Sequence, residues 1–503
     1  MGNVATLMFQ GLGTVLALVV VGVLVFWFIQ DVTQKKHTIL RNFPVIGRLR
    51  YVLERQGEYL RQYFFANDRE EMPFNRAMRS WVYRLAKNEG GTIAFGSTNN
   101  LSEPGNILFV NAPFPVLEDD RQPTPPLVIG DGWCREPFTA TSIVNVSGMS
   151  FGAISAPAVR ALSRGAKAAG CWMDTGEGGL SPYHVEGGCD LIMQIGTAKY
   201  GVRDEHGKLS DAKLREIAPH VRAFEIKLSQ GAKPGKGGVL LSAKVNEEIA
   251  RIRGIPVHTD SISPNRHVEA ANADQLLDMV LRVRDVTGKP VGLKTAIGGW
   301  DFMHQLCEAV NRRGLDAAPD FLVVDGGEGG TGAAPQALMD HMALPITEAL
   351  PRVIDALVEA GLRERIRVVA SGKLVTSAKA AWALCVGADF INTARGFMFA
   401  LGCIQALRCH TNHCPTGITT HQPRLQRGLV VEEKWQRVAN YANNMNHEID
   451  MIAHSCGLRH AREFRREHVR VVMSAYESVA MSTLFPYPQP GVRAPVEAVR
   501  PAA

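Results

Sequence analysis

Eight short apolar runs recur between residues 142 and 393, and nearly every one ends in a glycine-rich or polar stretch. They cover 142–146, 171–173, 224–228, 256–261, 290–295, 321–325, 367–370 and 389–393. Helical stretches separate them, so they read as parallel strands of βαβ units. Eight such strands favour closure into an α/β (β/α)8 TIM barrel over an open doubly wound sheet. A barrel needs roughly 250 residues, so a chain of 503 has extensions as well.

In a barrel the C-terminal strand ends converge on one mouth, and residues far apart in sequence share one site. The runs at those ends are SGMSFG from Ser147, TGEGG from Thr175, KLSQGAKPG from Lys227, SPNRH from Ser263, DGGEGGTG from Asp325, SGK from Ser371 and RG from Arg395; Lys294 ends the fifth strand. Glycine there lets backbone N–H groups approach a phosphate or a planar ring. The last two loops are the usual phosphate site of a barrel and offer Gly372, Lys373, Arg395 and Gly396. A phosphorylated cofactor is expected. Lys294 is suited to lie beside a flavin ring and stabilise its anionic reduced form. The plain alternatives are a surface lysine and, for Arg395, a salt-bridged rim residue.

Just after the eighth strand, Cys403, Cys409 and Cys414 have the spacing C-x5-C-x4-C. Soft thiolates this close suit an iron–sulfur cluster or another metal. Three thiolates point to a three-iron cluster, or to zinc completed by His410 or His413. A loop that merely carries three thiols is the remaining reading. The nine cysteines are odd in number and irregular elsewhere, which argues against a secreted disulfide scaffold. The formal charge of +6 is mild and forms no basic stripe with aromatics, so no nucleic-acid partner is expected.

Residues 8–29 hold no charge and are long enough to span a bilayer. Trp27 and Phe28 suit an interface, and Lys35, Lys36, Arg41, Arg48 and Arg50 follow. The positive-inside rule then puts the rest in the cytoplasm, on the inner or cytoplasmic membrane. Residues 31–135 read as a segment wrapping the barrel, with a helix at 54–65 and a proline-rich later part. After the cysteines, helices are expected at 432–456 and 461–468, then a flexible tail of fifteen residues. The expected organisation is a transmembrane anchor (1–30), a wrapping segment (31–135), the barrel (136–400), a cluster loop (401–425) and C-terminal helices with the tail (426–503).

Residues 136 to 425 resemble the FMN-binding synthase domain of glutamate synthases. The matching motifs are MSFGAIS from Met149, DTGEGG from Asp174, EIKLSQGAKPG from Glu225, GGTGAAP from Gly329 and the cysteine run itself. The resemblance implies FMN at the mouth and a three-iron, four-sulfur (3Fe–4S) cluster on Cys403, Cys409 and Cys414. It implies hydride transfer to 2-iminoglutarate, formed from 2-oxoglutarate and ammonia. Glu177, Lys227, Gln230, Lys233 and Arg253 would surround the 2-oxoacid, with Glu177 or Lys233 moving protons. Met149, Ser150, Thr175, Gln194, Lys227, Lys294 and Asp325 would contact the flavin. Gly326, Gly327, Gly372, Arg395 and Gly396 would serve its phosphate end. Gly327 and Glu328 stand where the family has His and Asp. The resemblance does not reach a glutaminase domain, and residue 2 is Gly rather than a cysteine nucleophile. Ammonia or another amine is therefore expected from solution or a partner such as a separate glutaminase subunit. The electron donor would be a ferredoxin or a reductase subunit. A related reading is an N-methylglutamate synthase subunit using methylamine; a further one is a non-catalytic membrane electron-transfer subunit.

Overall fold

The main sheet closes on itself. In the computed structural model, which describes residues 2–488, eight parallel strands follow one another around a ring. They are β1 (Val144–Val146), β2 (Met173–Asp174), β3 (Leu191–Ile195), β4 (Ala223–Lys227), β5 (Val291–Thr295), β6 (Phe321–Asp325), β7 (Arg367–Ser371) and β8 (Phe390–Thr393). Ile391 and Thr393 of β8 pair with Val144 and Val146 of β1 to complete it. The expected TIM barrel is what the chain forms.

One expected strand is wrong and one was missed. The exposed stretch 256–260 cannot serve as a barrel strand, because such strands are covered on both faces. Ser261–Ile262 pairs instead with Val239–Leu240 in a small antiparallel sheet. The true third strand, β3, is fully buried. It follows β2 after only the one-turn helix Pro182–Glu186, too short to show a helical period. The strand expected at 224–228 is thus the fourth.

The N-terminal end of the barrel is plugged. Trp172 meets Phe390 edge-on at 4.9 Å and Phe138 at 6.1 Å. Phe138 belongs to a hairpin of Leu127–Ile129 with Phe138–Ala140, which shares one apolar cluster with barrel residues Ile192, Phe321 and Val369. Only the opposite end is left to open. Outside the barrel, helix Ala156–Ala169 starts on the Ser155 hydroxyl and stops at Gly170, which is left-handed (φ +66°). Helix Val431–Ser455 crosses it where Gly165 has no side chain: a Cβ there would lie 2.4 Å from Val438.

The second helix expected at 461–468 is not one helix. Two 3₁₀ turns, Ala461–Glu463 and Arg466–His468, lead into the hairpin Val469–Ser474 with Glu477–Ala480. The run VRVVMS is β-branched and continues as a strand. The expected tail at 489–503 lies outside the described residues.

The chain divides into two units, the first ending at Ala77. The first unit contains helix Gly2–Thr33, within which Met8–Thr33 is long and apolar enough to cross a membrane. It also contains helix Gly47–Leu60, continued by a π-helical turn at Arg61–Phe65.

Candidate active site at the barrel mouth

Strand register builds a polar ladder inside the barrel. Gln194 of β3 pairs with Glu225 of β4, and Lys227 of β4 with Lys294 of β5. Glu225 and Lys227 are two residues apart, so both point inward. Gln194 Nε2 donates to Glu225 Oε1 at 2.7 Å and to Asp174 Oδ2 at 3.2 Å. Burial pushes the Glu225 carboxyl up to about 8, and the neighbouring Asp174 carboxylate adds to it. Asp174 is raised as well, chiefly by burial. Burial works against the charge on Lys294, yet Glu225, Asp325, Asp174 and Glu177 outweigh it and raise its pKa. Lys294 is therefore a fixed cation, not a surface lysine. Gly148 passes directly over this ladder: a Cβ there would lie 2.8 Å from Gln194 Nε2.

Glu177, in the loop after β2, is surrounded by cations. Its Oε2 meets Lys227 Nζ at 2.8 Å, and Lys227 Nζ also donates to Gln230 Oε1 at 3.3 Å. Burial would raise its pKa, but Lys227, Lys233 and Arg253 overcome that and hold it at about 2. Backbone closes round the carboxylate, since a Cβ on Gly238 would sit 2.1 Å from Oε1. Lys233 is buried, which lowers its pKa. The Arg253 guanidinium donates to Ser261 Oγ at 3.1 Å and Ser150 Oγ at 3.3 Å, and lies over the Tyr200 ring at 5.2 Å.

Two cavities open here. One, of about 500 Å³, is bounded by Gln194, Gln230, Lys294, Asn392 and Arg395, with Gly329, Gly330 and Gly372 supplying bare backbone. Asn392 Oδ1 is buried and has no protein partner. Asp325 braces the wall, accepting from the Gly231 N–H and the Ser371 hydroxyl, both at 2.8 Å. Arg395 donates to the Glu328 carbonyl at 2.6 Å, and burial lowers its pKa to about 10. The other cavity, of about 530 Å³, is bounded by Ser150, Glu177, Lys233, Lys244, Arg253 and Cys409. The loop carrying Gln230 and Lys233 separates them.

Six residues expected at the cofactor line neither cavity; one of them, Lys227, is paired with Glu177 instead. Met149 is buried beneath the Gly176 turn. The Thr175 hydroxyl bonds the Gly176 carbonyl and accepts from the Gln194 N–H. The N–H groups of Gly326 and Gly327 go to the carbonyls of Ser371 and Leu344, each at 2.8 Å. Gly396 donates to Thr393 Oγ1 and backs onto the Tyr441 hydroxyl. Gly329 and Gly330, three residues on, face the cavity instead. Asn392 and Lys244 were missed. Asn392 carried a signal, an amide among the apolar residues of a buried strand, whereas Lys244 had none.

The cysteine loop starts where Gly402, left-handed at φ +107°, ends helix Arg395–Leu401. Cys403 Sγ accepts the Gln405 N–H at 3.4 Å, and Cys414 Sγ lies 3.3 Å from the Thr416 hydroxyl. Burial pushes the Cys403 thiol up to about 12 and raises Cys409. Burial also opposes the Cys414 thiolate, but donors on Thr416 and Thr419 hold that thiol below the usual value. His413 turns its Nδ1 to the carbonyl of Thr411 at 2.7 Å, within its own turn. Among the described residues, no three His, Cys, Asp or Glu side chains converge as a single metal ion requires.

Residues 100–459 match the conserved region in glutamate synthase. The chain is 41% identical over 488 residues to the glutamate synthase large subunit-like protein YerD of Bacillus subtilis, covering 89% of this chain and 92% of that one. It is 34% identical over 333 residues to an archaeal-type glutamate synthase (NADPH) of Thermotoga sp. strain RQ2, covering 65% of this chain and 62% of the other. A Methanocaldococcus jannaschii archaeal glutamate synthase (NADPH) is 35% identical over 331 residues, 65% and 61% of the two chains. The chain thus spans nearly all of the first relative and less than two thirds of the others.

Proposed function

The chain belongs to the glutamate synthase family of oxidoreductases, and from that premise we propose that its barrel mouth binds FMN and reductively aminates 2-oxoglutarate to glutamate through 2-iminoglutarate. The observation that carries this reading is Glu177 held among Lys227, Lys233 and Arg253, next to a second cavity with its own cations. A dicarboxylate needs two or more cations, and Lys233 and Arg253 both face the space where one would lie.

The residues fit the cofactor. Lys294, Lys373 and Arg395 supply positive charge, Gly329, Gly330 and Gly372 allow close approach, and Asn392 Oδ1 awaits a donor. When bound, FMN would supply the hydride. The side chains do the rest. Glu177, held ionised, keeps Lys227 in place and attracts an ammonium or iminium cation; with a pKa of about 2 it is a poor proton donor. Lys233, its pKa lowered by burial, is the better group to move a proton at Nζ.

Support for a 3Fe–4S cluster comes from three thiols in one loop, with hydrogen-bond donors at Cys403 and Cys414. Electrons would come from a ferredoxin or a reductase subunit, and ammonia or another amine from solution or a glutaminase partner. Helix Met8–Thr33 would anchor the protein in the cytoplasmic membrane with the barrel on the cytoplasmic side.

The test is anaerobic purification in detergent, with flavin, iron and sulfide measured. The reduced protein is then mixed with 2-oxoglutarate and either ammonium or methylamine. Bound flavin, three irons per chain, and reoxidation only when both 2-oxoacid and amine are present are expected. Well-folded protein without flavin, or reoxidation indifferent to 2-oxoglutarate, would overturn the proposal.

A further inference from the structure

Helix Gly47–Leu60 and its continuation to Phe65 leave an apolar stripe uncovered. Ile46, Leu49, Val52, Leu53, Leu60 and Phe64 recur at helical spacing on one face. Leu53 is 57% exposed and Phe64 76%, so the first unit does not bury this face itself. Arg50, Arg55, Glu58 and Arg61 occupy the other side. Between residues 31 and 65, seven Lys and Arg stand against three Asp and Glu.

The start of this helix is fastened to the end of the apolar helix Met8–Thr33. Arg48 donates to Asp31 through Nε and Nη2, at 2.6 Å for the latter, and to Gln30 Oε1 at 2.7 Å. The Val45 N–H reaches Asp31 Oδ2 at 2.9 Å, and the Arg48 guanidinium lies over the Trp27 ring at 5.0 Å. Trp27 is the kind of residue that marks a membrane–water boundary. The clamp therefore holds the stripe at the level of the headgroups, if the first helix spans.

We infer that residues 46–65 form a second membrane element, an amphipathic helix lying in the interface with its apolar stripe among the acyl chains and its arginines on anionic headgroups. The inference rests on the anchoring reading above. Continuity with the span and the excess of basic side chains favour an anionic bilayer over a second copy of the chain.

The experiment uses the full chain in vesicles of phosphatidylcholine with 30% phosphatidylglycerol. A photoreactive p-benzoylphenylalanine replaces Leu53, Phe64, Glu58 or Val20, one at a time, all exposed positions. Lipid adducts are expected at positions 20, 53 and 64, with at least threefold less at 58. The yield at 53 is expected to fall at least threefold in phosphatidylcholine alone. Lipid adducts at 20 with none at 53 and 64, or adducts there to another copy of the chain, would overturn the inference and leave the anchor standing. Equal yields in the two lipids would overturn the headgroup preference. No lipid adduct at 20 would overturn the anchoring reading and the inference with it.

Discussion

Lys244 donates through Nζ to the backbone carbonyl of Cys409 at 2.9 Å, and at the same distance to that of Ala153. One buried ammonium thus ties the cysteine loop to the loop after β1, beside the cavity that holds Glu177. Lys244→Met leaves two part-buried acceptors without this donor. A loss of about 2 kcal/mol in unfolding free energy is expected. Hydrogen exchange should quicken around residues 153–155 and 405–411 and stay unchanged at the N-terminal plug. Unchanged protection in both loops would show that the ammonium does not hold them together.

Glu177→Gln separates the charge of this residue from its shape. The folded-state pKa of Glu177 lies near 2 against an ordinary value of 4.5. Its stabilising contribution is therefore complete above the ordinary value and is lost as pH falls through about 2. The variant should lack that acid-side loss, so urea midpoints of the two proteins should draw together between pH 5 and 2, from a gap of up to about 3 kcal/mol. The kcat/KM for 2-oxoglutarate with ammonium should fall roughly 100-fold. A constant gap across that pH range would show that the carboxylate is not held by its cations.

The barrel was legible because six of its strands carry the β-branched signature and polar ends, and the run at 171–173, which has no β-branched residue, is followed by TGEGG. β3 escaped because nothing helical of readable length separates it from β2, and the alternating run at 256–261 took its place in the count. At the mouth, residue types at strand ends and in the loop after β4 pointed to cations that the structure places together: Lys294, Arg395 and Lys233 line the cavities, and Lys227 pairs with Glu177. The glycines were harder. Sequence cannot tell which glycines of one run border the space, and so Gly326 and Gly327, whose N–H groups go to Ser371 and Leu344, were expected at the cavity in place of Gly329 and Gly330. Lys244 was invisible for a similar reason: its role depends on two carbonyls, in loops 91 and 165 residues away.

Glu225→Gln tests the ladder under the mouth. Burial and the adjacent Asp174 raise Glu225 to about 8 from an ordinary 4.5. Its contribution is full below the ordinary value and is lost as pH rises through about 8. Glutamine copies the protonated side chain and cannot ionise. The melting temperature of the unsubstituted protein should therefore fall more steeply than that of the variant between pH 6 and 9. Parallel curves would mean that Glu225 is already ionised at pH 6 and that the two carboxyls share no proton.

Two glycines of the QGAKPG motif separate contact from conformation. Gly231 donates its N–H to Asp325, and a Cβ on it would stand 1.8 Å from the Gly326 carbonyl oxygen. That oxygen cannot retreat cheaply, because the Gly326 N–H is fixed to Ser371. Gly235 has a left-handed φ of +71° but open space around it. Gly231→Ala should therefore cost about 3 kcal/mol by forcing apart the loops after β4 and β6, whereas Gly235→Ala should cost only the left-handed strain, about 1 kcal/mol. Since those loops also border the cavity assigned to FMN, Gly231→Ala should lose flavin on gel filtration and Gly235→Ala should retain it. Equal costs, with flavin kept in both, would mean that the two loops do not meet at Gly231 and that the cavity wall is not braced by that contact.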